Sequence, residues 1–185
     1  MFPFAVLTLV AAATVPADSD GPLHKSEEGY VQCYEPDDTA KTCQSLAAYK
    51  RNADGTWDNT AIVLLAPKQP ITLETVTTVS VKHGAICGYI RSEDVLRGKL
   101  RISGQSIPPE KAAPILIKIA ESMATLTNKE ICTEYLPSQD DLLARINIEG
   151  GVTPIPDQRV RWMLPSDGYT VAPASTESAT KKSAG

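Results

Sequence analysis

Apolar and polar positions change their period several times along this chain of 185 residues, and each change marks an element. Phe2 to Val15 is made almost wholly of Phe, Ala, Val, Leu and Thr. Val15-Pro16-Ala17 and polar Asp18-Ser19-Asp20 follow. An apolar run before a small-residue site is the pattern of a secretory signal peptide, so residues 1–17 are expected to be removed. The run is about 14 residues, short of the roughly 20 that cross a bilayer as a helix. No stable membrane span is expected after cleavage. Residues 18–32 are polar and read as a flexible leader.

From Ser45 the period becomes that of strands. Leu46–Arg51 and Thr56–Leu65 flank Asn52-Ala53-Asp54-Gly55, and an Asp-Gly between two such runs predicts a hairpin. Pro67 to Pro70 breaks the chain. Ile71–Lys82 is rich in β-branched residues, with Ile71, Leu73, Val79 and Val81 on one face, and reads as a long strand. Ile86–Ile90 predicts another, and Val95–Ile102 a further one with a bulge at Gly98. The period then lengthens. Ala112, Ile115, Leu116, Ile119, Met123 and Leu126 form one helical stripe after Pro108-Pro109-Glu110, predicting a helix over about 110–127. Glu130–Tyr135, Leu142–Glu149 and Arg159–Leu164 read as strands, and residues 171–185 as a disordered tail. The expected fold is therefore α+β: a single domain over 33–170, mostly antiparallel sheet packed against one main helix.

Composition narrows the setting. About 168 residues remain after the signal, enough for one domain with a core. Both phenylalanines lie in the signal, so that core rests on Val, Ile, Leu and Ala. A net charge of −4 without a Lys/Arg stripe argues against nucleic acid as a partner. The four cysteines, Cys33, Cys43, Cys87 and Cys132, allow three pairings. Cys33–Cys43 and Cys87–Cys132 are favoured, because the first closes a short loop around the turn residues Pro36-Asp37-Asp38. The second ties mid-chain to the end of the helix. The favoured pairs make two disulfides, as expected of a chain folded in an oxidising compartment, periplasmic or secreted.

Candidate chemistry is sparse. The two histidines, His24 and His83, are isolated, and no Cys-x-x-Cys or zinc spacing occurs. His83 precedes Cys87 by four residues, too far apart on a strand for a nucleophile and its base. Asn52–Asp58 resembles part of a calcium loop, but Lys50 and Ala61 stand where the cage needs acidic ends. No catalytic, metal or cofactor motif is found, so neither a cofactor nor an enzymatic activity is expected. The stapled loop offers Tyr34 beside Glu35, Asp37 and Asp38. With Trp57 near a hairpin tip, these form the candidate interaction surface, because aromatic anchors contribute area at low entropic cost.

Three groups of residues carry a resemblance. They are Cys-Gln-Ser-Leu-Ala-Ala-Tyr, Asp-Gly-Thr-Trp-Asp-Asn and Ile-Cys-Gly between Cys43 and Gly88; Glu-Ile-Cys-Thr-Glu-Tyr around Cys132; and Arg-Val-Arg-Trp from Arg159. They resemble small exported proteins of unassigned function from alphaproteobacteria. The resemblance implies a bacterial envelope setting and supplies no site residue. The expected role is a non-enzymatic binding protein with another envelope protein as partner. The alternative is a hydrolase using a carboxylate pair.

Overall fold

The computed structural model describes residues 21–66, 68, 70–151 and 155–174. The signal-peptide reading of 1–17 and the tail from 175 onward lie outside the described residues. Along the chain come α1 (His24–Glu27), β1 (Val31–Tyr34), β2 (Thr42–Cys43), β3 (Ser45–Arg51), β4 (Trp57–Ala66), β5 (Ile71–Lys82) and β6 (Ala85–Tyr89). Then follow α2 (Ser92–Leu96), β7 (Lys99–Ile102), β8 (Gln105–Ser106), α3 (Pro109–Ser122), β9 (Glu130–Ser138), β10 (Asp141–Ile148), β11 (Gln158–Met163) and β12 (Thr170–Val171).

Eight of these strands close on themselves. The order β4-β3-β1-β11-β10-β9-β6-β5 returns to β4 through an antiparallel β4–β5 ladder, and every neighbouring pair is antiparallel. Among the described residues this is a closed antiparallel β-barrel, which corrects the α+β expectation. The alternating pattern that predicted the strands is the same in an open sheet and in a barrel. Closure depends on β1 meeting β11 and β6 meeting β9, pairs that local sequence does not announce. The helix α3 is present but covers only the part of the sheet where β5 meets β7. It packs Ala112, Leu116 and Ala120 against Leu73, Val95 and Leu100, on a side extension where β7 pairs the first residues of β5.

The hairpin forms where expected. Gly55 takes φ 84°, and the Asp54 carboxylate accepts from the Thr56 amide at 3.0 Å and its hydroxyl at 2.6 Å. That carboxylate is spent on the turn. The twelve-residue β5 pairs β4 on one edge and shares the other between β7 (71–74) and β6 (79–82). The predicted strand over 95–102 is instead the short helix α2 followed by β7. A Cβ on Gly98 would lie 2.6 Å from Leu73 Cδ1 and 2.8 Å from the Val95 carbonyl, so Gly98 marks a close approach rather than a bulge.

Both ends of the domain are wider than the sequence suggested. Within the expected leader, α1 forms and Leu23 is buried in the barrel core. At the other end β12 pairs with β2, and the Thr42 hydroxyl donates to the Pro173 carbonyl at 3.5 Å. The disulfides are Cys33–Cys43 and Cys87–Cys132, as the favoured pairing had them. Cys87 and Cys132 stand directly opposite in the β6–β9 ladder, which spans only four residue pairs, whereas β9–β10 spans eight.

Candidate functional site

Pairing register assigns the inner face, since side chains alternate across each strand. Gln32 and Tyr34 of β1 face inward with Ala47 and Tyr49 of β3, Trp57, Asn59 and Ala61 of β4, and Thr75, Thr77 and Val79 of β5. Ile86 and Gly88 of β6, Ile131, Thr133 and Tyr135 of β9, Ala144, Ile146 and Ile148 of β10, and Val160 and Trp162 of β11 share this face. One half of this interior is sealed. Leu23, Ala47, Tyr49, Trp57, Val79 and Ile86 are buried together, with Tyr34, Tyr135 and Trp162 packed against them.

The other half is open. Ala61, Thr75, Thr77, Gly88, Ile131, Thr133, Ile146 and Ile148 all point inward, yet each is only half-buried. Small residues dominate this stretch of β4 and β5. Residues 75–78 of β5 also have no ladder partner on the edge shared between β6 and β7. An eight-stranded barrel is just wide enough to be filled by side chains or to hold one small ligand. Here the larger side chains fill one half, and the half-buried inward residues of the other half are termed the cup.

The floor of the cup is a polar cluster. The Tyr49 and Tyr135 hydroxyls each lie 3.0 Å from Gln32 Oε1, and the Tyr34 hydroxyl lies 3.2 Å from it. The Tyr34 and Tyr135 hydroxyls are 2.6 Å apart. Gln32 is 0% exposed, and its Nε2 has no hydrogen-bond partner among the described residues. A carbonyl oxygen offers two lone pairs, so three hydroxyl protons over-subscribe it. Exchanging the amide oxygen and nitrogen would leave the hydroxyls shorter of acceptors still. Burial pushes the pKa of Tyr34 and Tyr49 well above that of a free tyrosine. Tyr135 is also raised, again mainly by burial. Desolvation penalises the phenolate, so all three stay neutral. Asn59 Oδ1, farther along the inner wall, is likewise buried without a partner among the described residues.

The structure divides the sequence-predicted surface between two faces. Tyr34 lies in the floor cluster and Trp57 is 8% exposed in the sealed half, so neither is an exposed anchor. The reason is strand parity: both positions fall on the inner face. Of the acidic residues of the stapled loop only Asp38 is exposed, Glu35 being half-buried and Asp37 buried, and all three are engaged. Glu35 accepts from the Arg159 amide at 3.3 Å, and Asp37 from the amides of Thr39 and Ala40 at 3.0 and 3.1 Å. Asp38 pairs with Arg161 at 2.8 Å and accepts from the Tyr169 hydroxyl. That hydroxyl and the neighbouring arginine hold its carboxyl below the usual range.

Other carboxylates likewise meet cations. Glu74 faces Lys99 and Arg101, and Asp141 faces Arg161. Cys87 is bonded to Cys132, so it offers no thiol beside His83. Among the described residues no group of His, Cys, Asp or Glu is gathered to hold a metal. No helix among them is long and apolar enough to cross a membrane. The inner residues that sequence reasoning missed are Gln32, Tyr49 and Tyr135. For Tyr49 and Tyr135 the signal was available, since each shares its strand parity with apolar neighbours, whereas Gln32 falls in the expected leader.

No family model, no curated protein and no solved structure matches this chain. What stands is a disulfide-stabilised β-barrel whose two disulfides point to an oxidising compartment.

Proposed function

We propose that this is an exported, non-enzymatic binding protein that takes a small, largely apolar molecule into the open half of its barrel. One observation carries the reading: inward-facing residues in the middle of the barrel wall remain half-buried, while those nearer α1 are sealed. Val63, whose parity is also inward, is 38% exposed where β4 leaves the barrel and gives the entrance an apolar rim. Ligand sites are commonly apolar concavities with a few convergent polar groups, and this cup has an apolar wall and a neutral hydroxyl floor.

The envelope setting implied by the resemblance and by the apolar N-terminal run belongs to the same proposal. In that setting an apolar molecule needs a carrier through water, and the cup supplies one.

The test uses N-phenyl-1-naphthylamine, whose fluorescence rises in apolar surroundings. Trp57 and Trp162 both face the barrel interior, so energy transfer from them reports a probe inside it. Saturable one-to-one binding with loss of tryptophan emission is expected. Ala61→Phe fills the cup and should abolish binding without lowering the melting temperature. Absence of saturable binding, or binding unchanged in a folded Ala61→Phe protein, refutes the proposal.

A further inference from the structure

Resting on the cup reading, we infer that its ligand is an uncharged molecule bearing a carbonyl acceptor at its leading end, which receives the Tyr34 hydroxyl proton. The floor is rich in donors. Three hydroxyl protons and two amide protons converge there, and the acceptors are one amide oxygen and the hydroxyl oxygens themselves. Tyr49 and Tyr135, each at 3.0 Å, occupy the two lone pairs of Gln32 Oε1. Tyr34 is the odd member: it is farthest from that oxygen, at 3.2 Å, and is left over once the other two hydroxyls are seated. Its proton turns either to the Tyr135 oxygen at 2.6 Å or to an acceptor that enters the cup.

Gln32 supports the same polarity. It is 0% exposed, lies on the inner face beside Tyr34, and has an Nε2 without any acceptor. A buried donor left unmade is costly, and no described residue answers it. An entering acceptor relieves that shortage at the floor, whereas an entering donor adds to the surplus.

Charge settles the rest of the class. Of the inward positions only Arg51 is cationic. It lies at the far rim, where its side chain is 62% exposed and paired with Glu27 at 3.1 Å. A carboxylate would therefore enter the cup without a counter-ion, and burying an unpaired charge is prohibitive. A ketone, ester or amide carbonyl has no such cost.

The test compares two naphthalene probes on the intact protein. One is 6-propionyl-2-dimethylaminonaphthalene, which has a carbonyl whose emission moves to the red when it is hydrogen-bonded. The other is N-phenyl-1-naphthylamine, which has none. Wild-type protein should bind the carbonyl probe with red-shifted emission. Tyr34→Phe keeps the ring and removes the donor. It should weaken the carbonyl probe about threefold to tenfold, the range of one net hydrogen bond, and move its emission to the blue. Affinity for N-phenyl-1-naphthylamine should stay within about twofold over the same comparison. Tyr49→Phe frees a lone pair on Gln32 Oε1 for the Tyr34 proton, so it should also move the carbonyl probe's emission toward the blue.

If both probes bind but Tyr34→Phe leaves the carbonyl probe's affinity and emission unchanged, the inference fails and the cup reading survives. If a carboxylate probe such as cis-parinaric acid binds more tightly than both, the uncharged class is wrong. If no probe binds, the cup reading falls and this inference with it.

Discussion

Removing the Cys87–Cys132 bridge is the perturbation with the most computable effect. The cross-link closes a loop of sequence separation 45. The chain-entropy relation assigns such a loop about 13 cal/mol/K of lost freedom in the unfolded ensemble, or about 4 kcal/mol at 25 °C. The Cys33–Cys43 loop, at separation 10, comes to about 2.7 kcal/mol by the same relation. A loss of about 4 kcal/mol is a large share of a domain's total of roughly 5–15 kcal/mol. The double variant C87A/C132A should therefore still fold, but only marginally. With a urea slope of about 2 kcal/mol/M, its midpoint should fall by about 2 M.

The position of the bridge adds a local expectation. It lies within the four-pair β6–β9 ladder, so exchange protection should be lost there before it is lost in the eight-pair β9–β10 ladder. Urea titration followed by tryptophan fluorescence, with hydrogen exchange resolved to peptides covering 85–89 and 130–138, reads both quantities. A loss below about 1.5 kcal/mol would refute the loop-entropy argument. Unchanged protection over 86–89 would refute the role of the bridge as the clamp on that seam.

Two further expectations follow from close contacts and buried hydroxyls. Gly98→Ala places a methyl against the Val95 carbonyl and Leu73, and should cost about 1–3 kcal/mol in the same urea titration; an unchanged midpoint would show that the α2–β7 junction is loose. Alkaline titration should find the Tyr34, Tyr49 and Tyr135 hydroxyls silent until the barrel opens. Their pKa values are raised in the folded state, so the stability they contribute is intact below the unfolded value near 10. It is lost as pH rises beyond that. Phenolate absorbance from these residues should appear together with loss of tertiary circular dichroism, and smooth ionisation of all six tyrosines in a folded protein would contradict the buried cluster.

The sequence carried its local structure well. Asp54-Gly55 marked the hairpin, the β-branched run from Ile71 marked β5, and the apolar spacing from Ala112 marked α3. The spacing of the four cysteines also favoured the pairs that the structure forms. Closure was not legible, because β1 and β11 are separated by more than a hundred residues and their pairing is a tertiary event. The same blindness misplaced the candidate surface. Tyr34 and Trp57 look like exposed anchors only if the far side of the strand is solvent, and in a barrel that side is the interior. Val95 and Leu96 were too short a run to separate a helical turn from a strand. Val171 read as the start of a structureless tail because parallel pairing of Thr170 and Val171 with Thr42 and Cys43 has no local signature.

The β1–β11 ladder also sets the order in which this chain can assemble. Neighbours around the ring follow one another along the chain, with residues 90–129 looped out between β6 and β9, until β11 returns to the first strand. As the polypeptide emerges vectorially from a ribosome or a translocation pore, β3 to β6 can pair early. The edges of β1 and of the growing meander remain bare until Met163 arrives opposite Val31. A nascent barrel of this kind exposes two sticky borders for nearly its whole synthesis, and long-range strand closure is intrinsically slow. The molecule therefore places its greatest demand on chaperones just before completion, and truncations that end short of β11 should aggregate rather than yield a smaller folded protein.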